Sequence, residues 1–327
     1  MVRLDLQPIT PALGATVAVT ADDVLGEGVP EQILGALDRH HVLVFPQIHM
    51  TDEVFLELTA ALGQMHANTV TDDGSEASDK GIFRIALDKS DPTQLDFIKG
   101  NDYWHMDGMS YAVPCKASLL KCVSAPREGG DTGFANLHAA YAALPASMRE
   151  RLHGLRVGHC LSAVGRRMYA EPTDADFARW DAVFPRLEHP LVWHQHGGDA
   201  ALLIGSTAND IVGLDEAVGG ALLEELLEWC TQPRFTHRHA WRDGDLVIFN
   251  NPALLHSSYP YSEAARRVMH RTTLQGKLAI DTRAGDLLPA RESRQKQTNS
   301  LKSGHRPILD WSVTWSLNEQ KSSSRKA

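Results

Sequence analysis

The stretch GNDYWHMDGMSYAVP, residues 100–114, dominates the interpretation of this chain. His105 and Asp107 stand two positions apart in an aromatic and sulfur-rich run that ends at a proline. An alternating run of this kind predicts an extended segment whose odd-numbered side chains share one face. Three interpretations of the pair are open at this point. It is a structural hydrogen-bonded pair, a half-exposed pair without a role, or two of three ligands of a metal that keeps open coordination positions.

The composition is that of a globular protein. Of the 327 residues, 43% are hydrophobic and 22% are charged, which suits one large core or two ordinary ones. A formal net charge of −9 argues against nucleic acid as a main partner. The opening residues, MVRLDLQPIT, lack the basic start and apolar run of a signal peptide, and no apolar run is long enough for a membrane helix. We therefore expect neither secretion nor membrane spanning.

The four cysteines, Cys115, Cys122, Cys160 and Cys230, are scattered along the chain. Their spacing does not match a C-x-x-C metal site, and their number is too small for a disulfide framework. The pattern predicts free thiols in a reducing compartment. We expect a cytoplasmic protein that forms a homo-oligomer.

Short apolar runs and few helices predict the fold class. Helices are expected between Glu31 and Arg39 and after the N-cap residue Thr51, with Gly63 as the stop. Further helices are predicted at 137–144, 145–155 and 214–230, and strands at 41–46, 115–126, 199–205, 243–251, 254–261 and 266–276. This pattern favours a mainly β protein with flanking helices (α+β) and an antiparallel barrel or double-sheet jelly roll core.

Two segments lack a clear period. Residues 166–190 are polar and aromatic, which suits a long loop or lid over a site. Beyond about residue 280 the chain is polar and basic, and we interpret residues 281–327 as a partly irregular extension. The remaining residues, 1–280, form one predicted domain.

A third metal ligand is needed to make the pair at 105 and 107 a metal site. His256, in FNNPALLHSSYP, is the candidate, and only a closed β fold would bring it to the other two. In the following RRVMHR, Arg267 and Arg271 share one strand face. A guanidinium offers planar bidentate donors, so an inward arginine beside such a metal suggests an anionic co-substrate.

Together these motifs resemble the taurine dioxygenase/TfdA family of iron(II) and 2-oxoglutarate dependent dioxygenases. The resemblance runs in order from about Leu6 to about Gly276. It rests on WHMD at 104–107, GGDT at 129–132, W-R-D-G-D at 241–245, and the spacing H-x14-R that ends at Arg271. Separated motifs in the correct order are far more specific than any one of them.

The resemblance implies a double-stranded β-helix, cupin-like core and a catalytic Fe(II), with 2-oxoglutarate and O2 as co-substrates. The implied iron ligands are His105, Asp107 and His256. Arg271 would pair with the distal carboxylate of 2-oxoglutarate, assisted by the Thr132 hydroxyl. Arg267 would lie near the metal-bound end of the oxo-acid or near the substrate. The implied reaction hydroxylates a C–H bond of a small molecule and releases succinate and CO2.

The substrate pocket is predicted from strand parity and from the family. The residues that share the parity of the ligands are Asn101, Tyr103, Met109 and Tyr111. Asn68 stands where taurine-type members carry a histidine that contacts the sulfonate. In addition, Phe249 to Pro252 replace the usual W-D-N-R. Both departures argue against taurine itself. The candidate small-molecule substrates are sulfonates, alkyl sulfates, aryloxy acids and modified amino acids, most of them anionic.

Several alternatives stay open. The pairs His194/His196 and His237/His239 also place two imidazoles on one strand face, but neither run contains a carboxylate, so solvated or structural histidines are favoured over zinc. The triad itself would also serve a non-catalytic metal-binding sensor or scaffold, or a hydrolytic zinc site. Within the dioxygenase interpretation, hydroxylation next to a heteroatom would cleave an alkyl sulfate, a sulfonate or an aryloxy acid.

Overall fold

Two β-sheets that pack against each other form the centre of the protein. The computed structural model describes residues 3–66, 81–87, 98–262 and 265–280. These residues belong to the unit Met1–Leu288, and the second unit, Pro289–Ala327, lies outside the described residues. The boundary at residue 280 and the extension at 281–327 therefore stay predictions.

The larger sheet has seven strands in the order β1-β2-β3-β13-β5-β15-β4. Its strands are β1 (Asp5–Pro8), β2 (Ala15–Ala18), β3 (Val42–Phe45), β4 (Phe83–Ala86), β5 (Ala117–Ser124), β13 (Leu246–Asn250) and β15 (Val268–Leu274). All its neighbours are antiparallel except β2 and β3. The sheet opposite has the order β12-β6-β14, with β6 (Thr132–Asn136), β12 (Thr236–His239) and β14 (Leu254–Ser258).

The described part of the chain also contains two smaller sheets, seven helices whose bounds follow, and three further helical residues at 98–100. The small sheets are β11-β7-β8 and β10-β9, with β7 (Arg156–His159), β8 (Leu187–Pro190), β9 (Val192–His194), β10 (Ala200–Leu202) and β11 (Ala208–Ile211). The helices are α1 (Val29–His40), α2 (Asp52–Leu62), α3 (Leu137–Ala142), α4 (Ala146–Leu152), α5 (Leu161–Met168), α6 (Asp174–Val183) and α7 (Glu216–Cys230).

The layers follow from which side chains share a core. α1 and α2 cover one face of the large sheet, where Leu37 and Phe55 pack with Leu119 of β5. The other face packs on the small sheet opposite, and the rings of Phe134 in β6 and Phe249 in β13 lie 5.3 Å apart. This arrangement confirms the predicted α+β jelly roll with helices outside the sheets.

Strand β5 shows how the alternation of side chains builds the site. Leu119 packs under the helices, whereas Leu120 and Cys122 pack between the two sheets. Because neighbouring side chains of a strand point to opposite faces, Ser118 also faces the space between the sheets. A polar side chain is thereby placed inside an apolar layer.

Helix ends agree with the sequence signals. The Thr51 side chain accepts a hydrogen bond from the Val54 N–H at the start of α2, and Gly63 follows its last turn. The predicted helices at 137–144, 145–155 and 214–230 correspond to α3, α4 and α7. Within the described residues, no helix has the length and apolarity needed to cross a membrane.

The prediction of a long loop or lid at 166–190 is wrong in its local structure. α5 runs to Met168, α6 covers Asp174–Val183, and β8 follows at Leu187–Pro190. A capping box starts α6, because Thr173 accepts from the Asp176 N–H and Asp176 accepts from the Thr173 N–H. The period was missed because α6 is short and only Trp180 in it is buried.

Candidate active site

The two histidines meet through a backbone bridge. The His105 N–H donates to the His256 carbonyl at 2.9 Å, and the His256 N–H donates to the His105 carbonyl at 2.8 Å. This antiparallel pairing attaches the segment around residue 105 to β14. The imidazole rings lie side by side, with their centroids 4.1 Å apart.

Asp107 completes the cluster. Its Oδ1 lies 3.9 Å from His105 Nε2, and its Oδ2 lies 3.8 Å from His256 Nε2. The three side chains each offer one ligand atom, and these atoms lie within 4.8 Å of one another. Distances of this size are too long for hydrogen bonds, but they leave room for an ion with metal–ligand bonds of about 2.1 Å.

The hydrogen bonds around the cluster suit a metal. His105 Nδ1 lies 2.8 Å from the Tyr103 carbonyl, so the ring donates there and Nε2 keeps its lone pair toward Asp107. Two imidazoles and one carboxylate form the ligand set of non-haem Fe(II) oxygenases, in which three positions stay open. The residues present therefore fit an Fe(II) ion.

Electrostatics keep the three groups in the metal-binding protonation state. Burial by itself would raise the pKa of Asp107, but the nearby His256 and Arg271 lower it to about 2. Burial, followed by the neighbouring His105, lowers the pKa of His256 to about 3. Burial also lowers the pKa of His105. At neutral pH the cluster thus holds one carboxylate and two neutral imidazoles.

The predicted extended segment at 100–114 is wrong on both sides of His105, because residue 100 is helical and residues 101–102 form a turn. Only His105 forms a β-bridge, and a turn follows at 107–110. Gly108 has φ +91°, and a Cβ there would meet the Pro114 backbone at 3.0 Å. The parity argument therefore holds for His105 and Asp107 but does not extend to Asn101, Tyr103, Met109 or Tyr111.

Arg271, in β15, lies beside the cluster formed by His105, Asp107 and His256. Its Nη1 is 3.6 Å from Asp107 Oδ2, and its guanidinium carbon lies 5.1 Å from the centroid of the Phe83 ring. A guanidinium at this distance places positive charge beside the Asp107 carboxylate. The expected role of Arg271 at the distal end of 2-oxoglutarate stays a prediction.

Arg267 lies at the GGDT turn. It is 5% exposed, and its Nε donates to the Gly130 carbonyl at 2.9 Å. Gly130 has φ +68°, and a Cβ there would meet the Arg267 side chain at 2.9 Å, so this close approach needs glycine. The Tyr261 ring centroid lies 5.4 Å from the guanidinium carbon. The structure thus brings Arg267, not Arg271, to the turn that precedes Thr132.

Thr132 starts β6 and is 4% exposed. Its Oγ1 accepts a hydrogen bond from Trp241 Nε1 at 3.0 Å. An indole N–H can only donate, so the threonine oxygen is the acceptor and its own proton is available to another acceptor. Trp241 belongs to the W-R-D-G-D motif, but its contact with Thr132 was not predicted.

The predicted substrate residues have different environments. Tyr103 donates its hydroxyl to the Arg167 carbonyl at 2.7 Å, which ties the loop before His105 to α5. Tyr111 packs against the His66 ring at 5.5 Å. Met109 is 2% exposed and belongs to the core under α3 and α7, so its burial does not support a place in the pocket. The Asn101 carbonyl accepts from the Ser258 N–H. Asn68 lies outside the described residues.

The other histidine pairs do not form a second cluster in the described ranges. His239 Nε2 lies 3.1 Å from Asp245 Oδ2, and His237 is in the same strand. His194 is exposed, and the His196 side chain lies outside the described part. A structural role for His239 agrees with the favoured interpretation.

Ser118, which contacts the cluster, and Asn251, which contacts Ser118, are not predicted from the sequence. Ser118 donates to Asp107 Oδ2 at 3.1 Å, and Asn251 Nδ2 donates to Ser118 Oγ at 3.0 Å. A lone serine in the apolar strand KASLLKCV was the available signal for Ser118. Asn251 lies in the stretch Phe249 to Pro252, which departs from the family motif W-D-N-R, and the sequence gives no further signal for it.

Comparisons with known proteins agree with this geometry. Residues 5–273 match the family described as "Taurine catabolism dioxygenase TauD, TfdA family". An alpha-ketoglutarate-dependent 2,4-dichlorophenoxyacetate dioxygenase from Cupriavidus pinatubonensis is 31% identical over 81% of this chain and 96% of that protein. An alpha-ketoglutarate-dependent sulfate ester dioxygenase from Pseudomonas putida is 30% identical over 85% of this chain and 91% of that protein.

A solved structure is similar as well. The crystal structure of AAD-2 in complex with Mn(II) and N-oxalylglycine has a TM-score of 0.71 and 25% identity, and covers 86% of this chain and all of that one. The fold and the three-residue cluster define a non-haem iron dioxygenase that uses 2-oxoglutarate and O2. The chain belongs to the TauD/TfdA family, as its motifs predicted.

Proposed function

We propose that this dioxygenase hydroxylates a small anionic molecule, with aryloxyalkanoic acids as the first candidate class, and that His105, Asp107 and His256 hold its Fe(II). The observation that carries the proposal is the presence of two arginines, Arg271 in β15 beside the Asp107 carboxylate and Arg267 at the GGDT turn, just before β15 begins. The reaction brings 2-oxoglutarate and a prime substrate to one metal. Two cations in the site suit two anions.

Arg267 is the better partner for the distal carboxylate of 2-oxoglutarate. If 2-oxoglutarate binds the metal through its keto-acid end, its other carboxylate, two methylene carbons further along the molecule, needs a partner away from the metal-binding residues. Arg267 is buried at the GGDT turn, and Thr132, two residues after Gly130, has a hydroxyl proton to donate. A bidentate guanidinium and a hydroxyl would satisfy that carboxylate. This assignment reverses the expected roles of the two arginines.

Arg271 is then the candidate for the anionic group of the prime substrate. It lies beside Asp107 and over the Phe83 ring, so a cation and an aromatic surface occur together. The Tyr111 and His66 rings form a second aromatic surface, and the His66 N–H bonds to the Thr273 carbonyl, two residues after Arg271 in β15. A charged group next to aromatic rings suits an aryloxy acid.

The chemistry depends on orientation. Bound Fe(II) and 2-oxoglutarate supply an O2-dependent oxidation that puts one oxygen atom into a C–H bond and the other into succinate, with loss of CO2. The chain's residues hold the substrate carbon toward the metal and limit access of water. When the hydroxylated carbon also bears the ether oxygen, the hemiacetal or hemiketal collapses to a phenol and a carbonyl acid.

Alkyl sulfates are the second candidate class. Hydroxylation of the carbon bonded to the ester oxygen would release sulfate and an aldehyde by the same collapse. The full-length relative that acts on sulfate esters supports this class. Arg271 would bind a carboxylate or a sulfate through the same pair of N–H donors, so charge does not separate the two classes. The Phe83 ring beside its guanidinium favours the aryloxy acids.

The test is succinate release with Fe(II), 2-oxoglutarate and O2 over a matched panel. Phenoxyacetate and 2-phenoxypropionate are expected to give turnover, whereas 2-phenoxyethanol, which lacks the charge, is expected to give little. The panel also includes alkyl sulfates and sulfonates as substrates. Equal rates with the charged and neutral phenoxy compounds would refute the anionic class. Release of phenol or sulfate without O2 and without succinate would favour a hydrolytic zinc site, and metal binding without turnover would favour a sensor.

We further propose a cytoplasmic location and a homo-oligomer. All four cysteines are buried and free, which suits a reducing compartment. Burial also raises the pKa of Cys230 to about 12, so that thiol is protected from oxidation. Sedimentation of the full chain would test the oligomer, and a single monomeric species would exclude it.

A further inference from the structure

Ser118 links Asp107 of the three-residue cluster to the turn between β13 and β14. The serine is fully buried in β5, and Asn251 is fully buried in the single 3-10 turn that follows β13. Asn251 Nδ2 donates to Ser118 Oγ at 3.0 Å, and Ser118 Oγ donates to Asp107 Oδ2 at 3.1 Å. A chain of two hydrogen bonds thus runs from a backbone turn to a residue of the cluster.

The direction of this chain is fixed by the donors available. A hydroxyl has one proton, so Ser118 can donate to only one partner. When the Asn251 amide donates to the serine oxygen, the serine proton is left for Asp107. The carboxylate is ionised and can only accept. Asn251 therefore sets the orientation of the Ser118 hydroxyl.

Burying these polar groups costs free energy unless they form hydrogen bonds. The inward neighbours of Ser118 along β5, Leu120 and Cys122, are apolar, and Phe249 is its cross-strand partner in β13. A hydroxyl and an amide in such a layer cost free energy that an alanine and a leucine would avoid. The two hydrogen bonds give the Ser118 hydroxyl and the Asn251 amide N–H their partners.

We propose that Ser118 and Asn251 are positioning residues that hold the Asp107 carboxylate in the orientation needed to bind the metal. The proposal rests on the proposed role of Asp107 as an iron ligand. Ser118 and Arg271 both approach Oδ2, at 3.1 Å and 3.6 Å, while Oδ1 faces His105. With Oδ2 held from one side, the carboxylate does not rotate freely about its bond to Cβ.

Metal affinity tests the role of Ser118 without using activity. Isothermal titration of Mn(II) into the full chain is expected to give a Kd roughly 10 to 100 times higher for Ser118→Ala than for the unchanged protein, as for other groups that orient metal ligands. Ser118→Thr keeps the hydroxyl and is expected to restore most of the affinity. An unchanged Kd in Ser118→Ala would overturn the proposal.

Ser162→Ala is the matched control. Ser162 is a serine that is 4% exposed, and its Oγ donates at 2.7 Å to the carboxylate of Asp181, which is not a residue of the cluster. The control loses the same kind of hydrogen bond and should lose stability by a similar amount. Its Mn(II) affinity is expected to be unchanged. An equal loss of affinity in both variants would mean that the effect is general destabilisation, and would overturn the positioning role.

Asn251→Asp tests the direction of the two hydrogen bonds that run from Asn251 through Ser118 to Asp107. The new carboxylate can only accept, so it draws the Ser118 proton away from Asp107, and the Mn(II) affinity should fall by an amount similar to that of Ser118→Ala. Asn251→Leu only removes the donor, so the loss should be smaller. Wild-type affinity in Asn251→Asp would refute the role of Asn251.

Asp107→Ala separates this proposal from the proposed function. If Asp107→Ala loses Mn(II) binding and Ser118→Ala does not, the positioning role fails and the ligand assignment stands. If Asp107→Ala binds Mn(II) as well as the unchanged chain, the ligand assignment itself fails.

Discussion

Arg271 Nη1 lies 3.6 Å from Asp107 Oδ2, whereas Arg267 Nε donates to the Gly130 carbonyl at 2.9 Å. Two arginines four positions apart in sequence therefore have different partners, the Asp107 carboxylate and the Gly130 carbonyl. This separation is the physical basis for assigning one of them to the substrate and the other to 2-oxoglutarate.

The two arginines should affect different kinetic constants. Arg267→Gln is expected to weaken 2-oxoglutarate binding by about 2 to 5 kcal/mol, because a buried charge pair is lost. Arg271→Gln should instead raise the KM of the prime substrate and leave the Kd of 2-oxoglutarate within a few-fold of its normal value. Both constants are measured for each variant with Fe(II) present. The opposite pattern would restore the assignment that the sequence suggested.

Trp241→Phe should weaken 2-oxoglutarate binding through Thr132. The indole N–H that fixes the threonine oxygen is lost, and one hydrogen bond of about 1 kcal/mol corresponds to roughly fivefold in Kd. Trp229→Phe is the control, because Trp229 Nε1 donates to the Ala140 carbonyl at 2.9 Å beside α3. A Kd that changes equally in both variants would contradict the link to Thr132.

Buried His159 should make the protein sensitive to acid. Its Nδ1 lies 2.8 Å from Thr207 Oγ1, and burial, with His189 next to it, lowers its pKa from 6.5 to about 3. Between these two values the unfolded chain binds a proton that the folded chain does not, so stability is lost as the pH falls through this window. The slope is about 1.4 kcal/mol per pH unit for each such proton.

His159→Gln tests this account, because glutamine keeps a polar side chain but does not titrate. The free energy of unfolding of the variant, measured by urea denaturation between pH 7 and pH 4, should depend less steeply on pH than that of the unchanged protein. The same slope in both proteins would show that His159 does not carry the effect.

Much of the site was predictable because its residues stand in specific local patterns. His105 and Asp107 share one motif, His256 follows a strand, and the two arginines lie in one run. Their meeting could be inferred only through the resemblance to a known family, because the backbone bridge between His105 and His256 joins distant parts of the chain. The resemblance supplied the topology, and the structure confirms it.

The misassigned features depended on backbone geometry and long-range contact. The turn at Gly108 ended the alternation after Asp107, which changed the environment of Met109. Which arginine lies near Thr132 depends on the chain path before β15, and strand parity does not reveal that path. Ser118 and Asn251 meet only through pairing of β5 with β13.

Metal binding by the three cluster residues is the central claim. The most direct test is anaerobic titration of Fe(II) into the full chain and into His105→Ala, Asp107→Ala and His256→Ala, with circular dichroism to check that each variant is folded. We predict one Fe(II) per chain for the unchanged protein and loss of that binding in each folded variant. Retention of one tightly bound Fe(II) in any of the three would contradict the account.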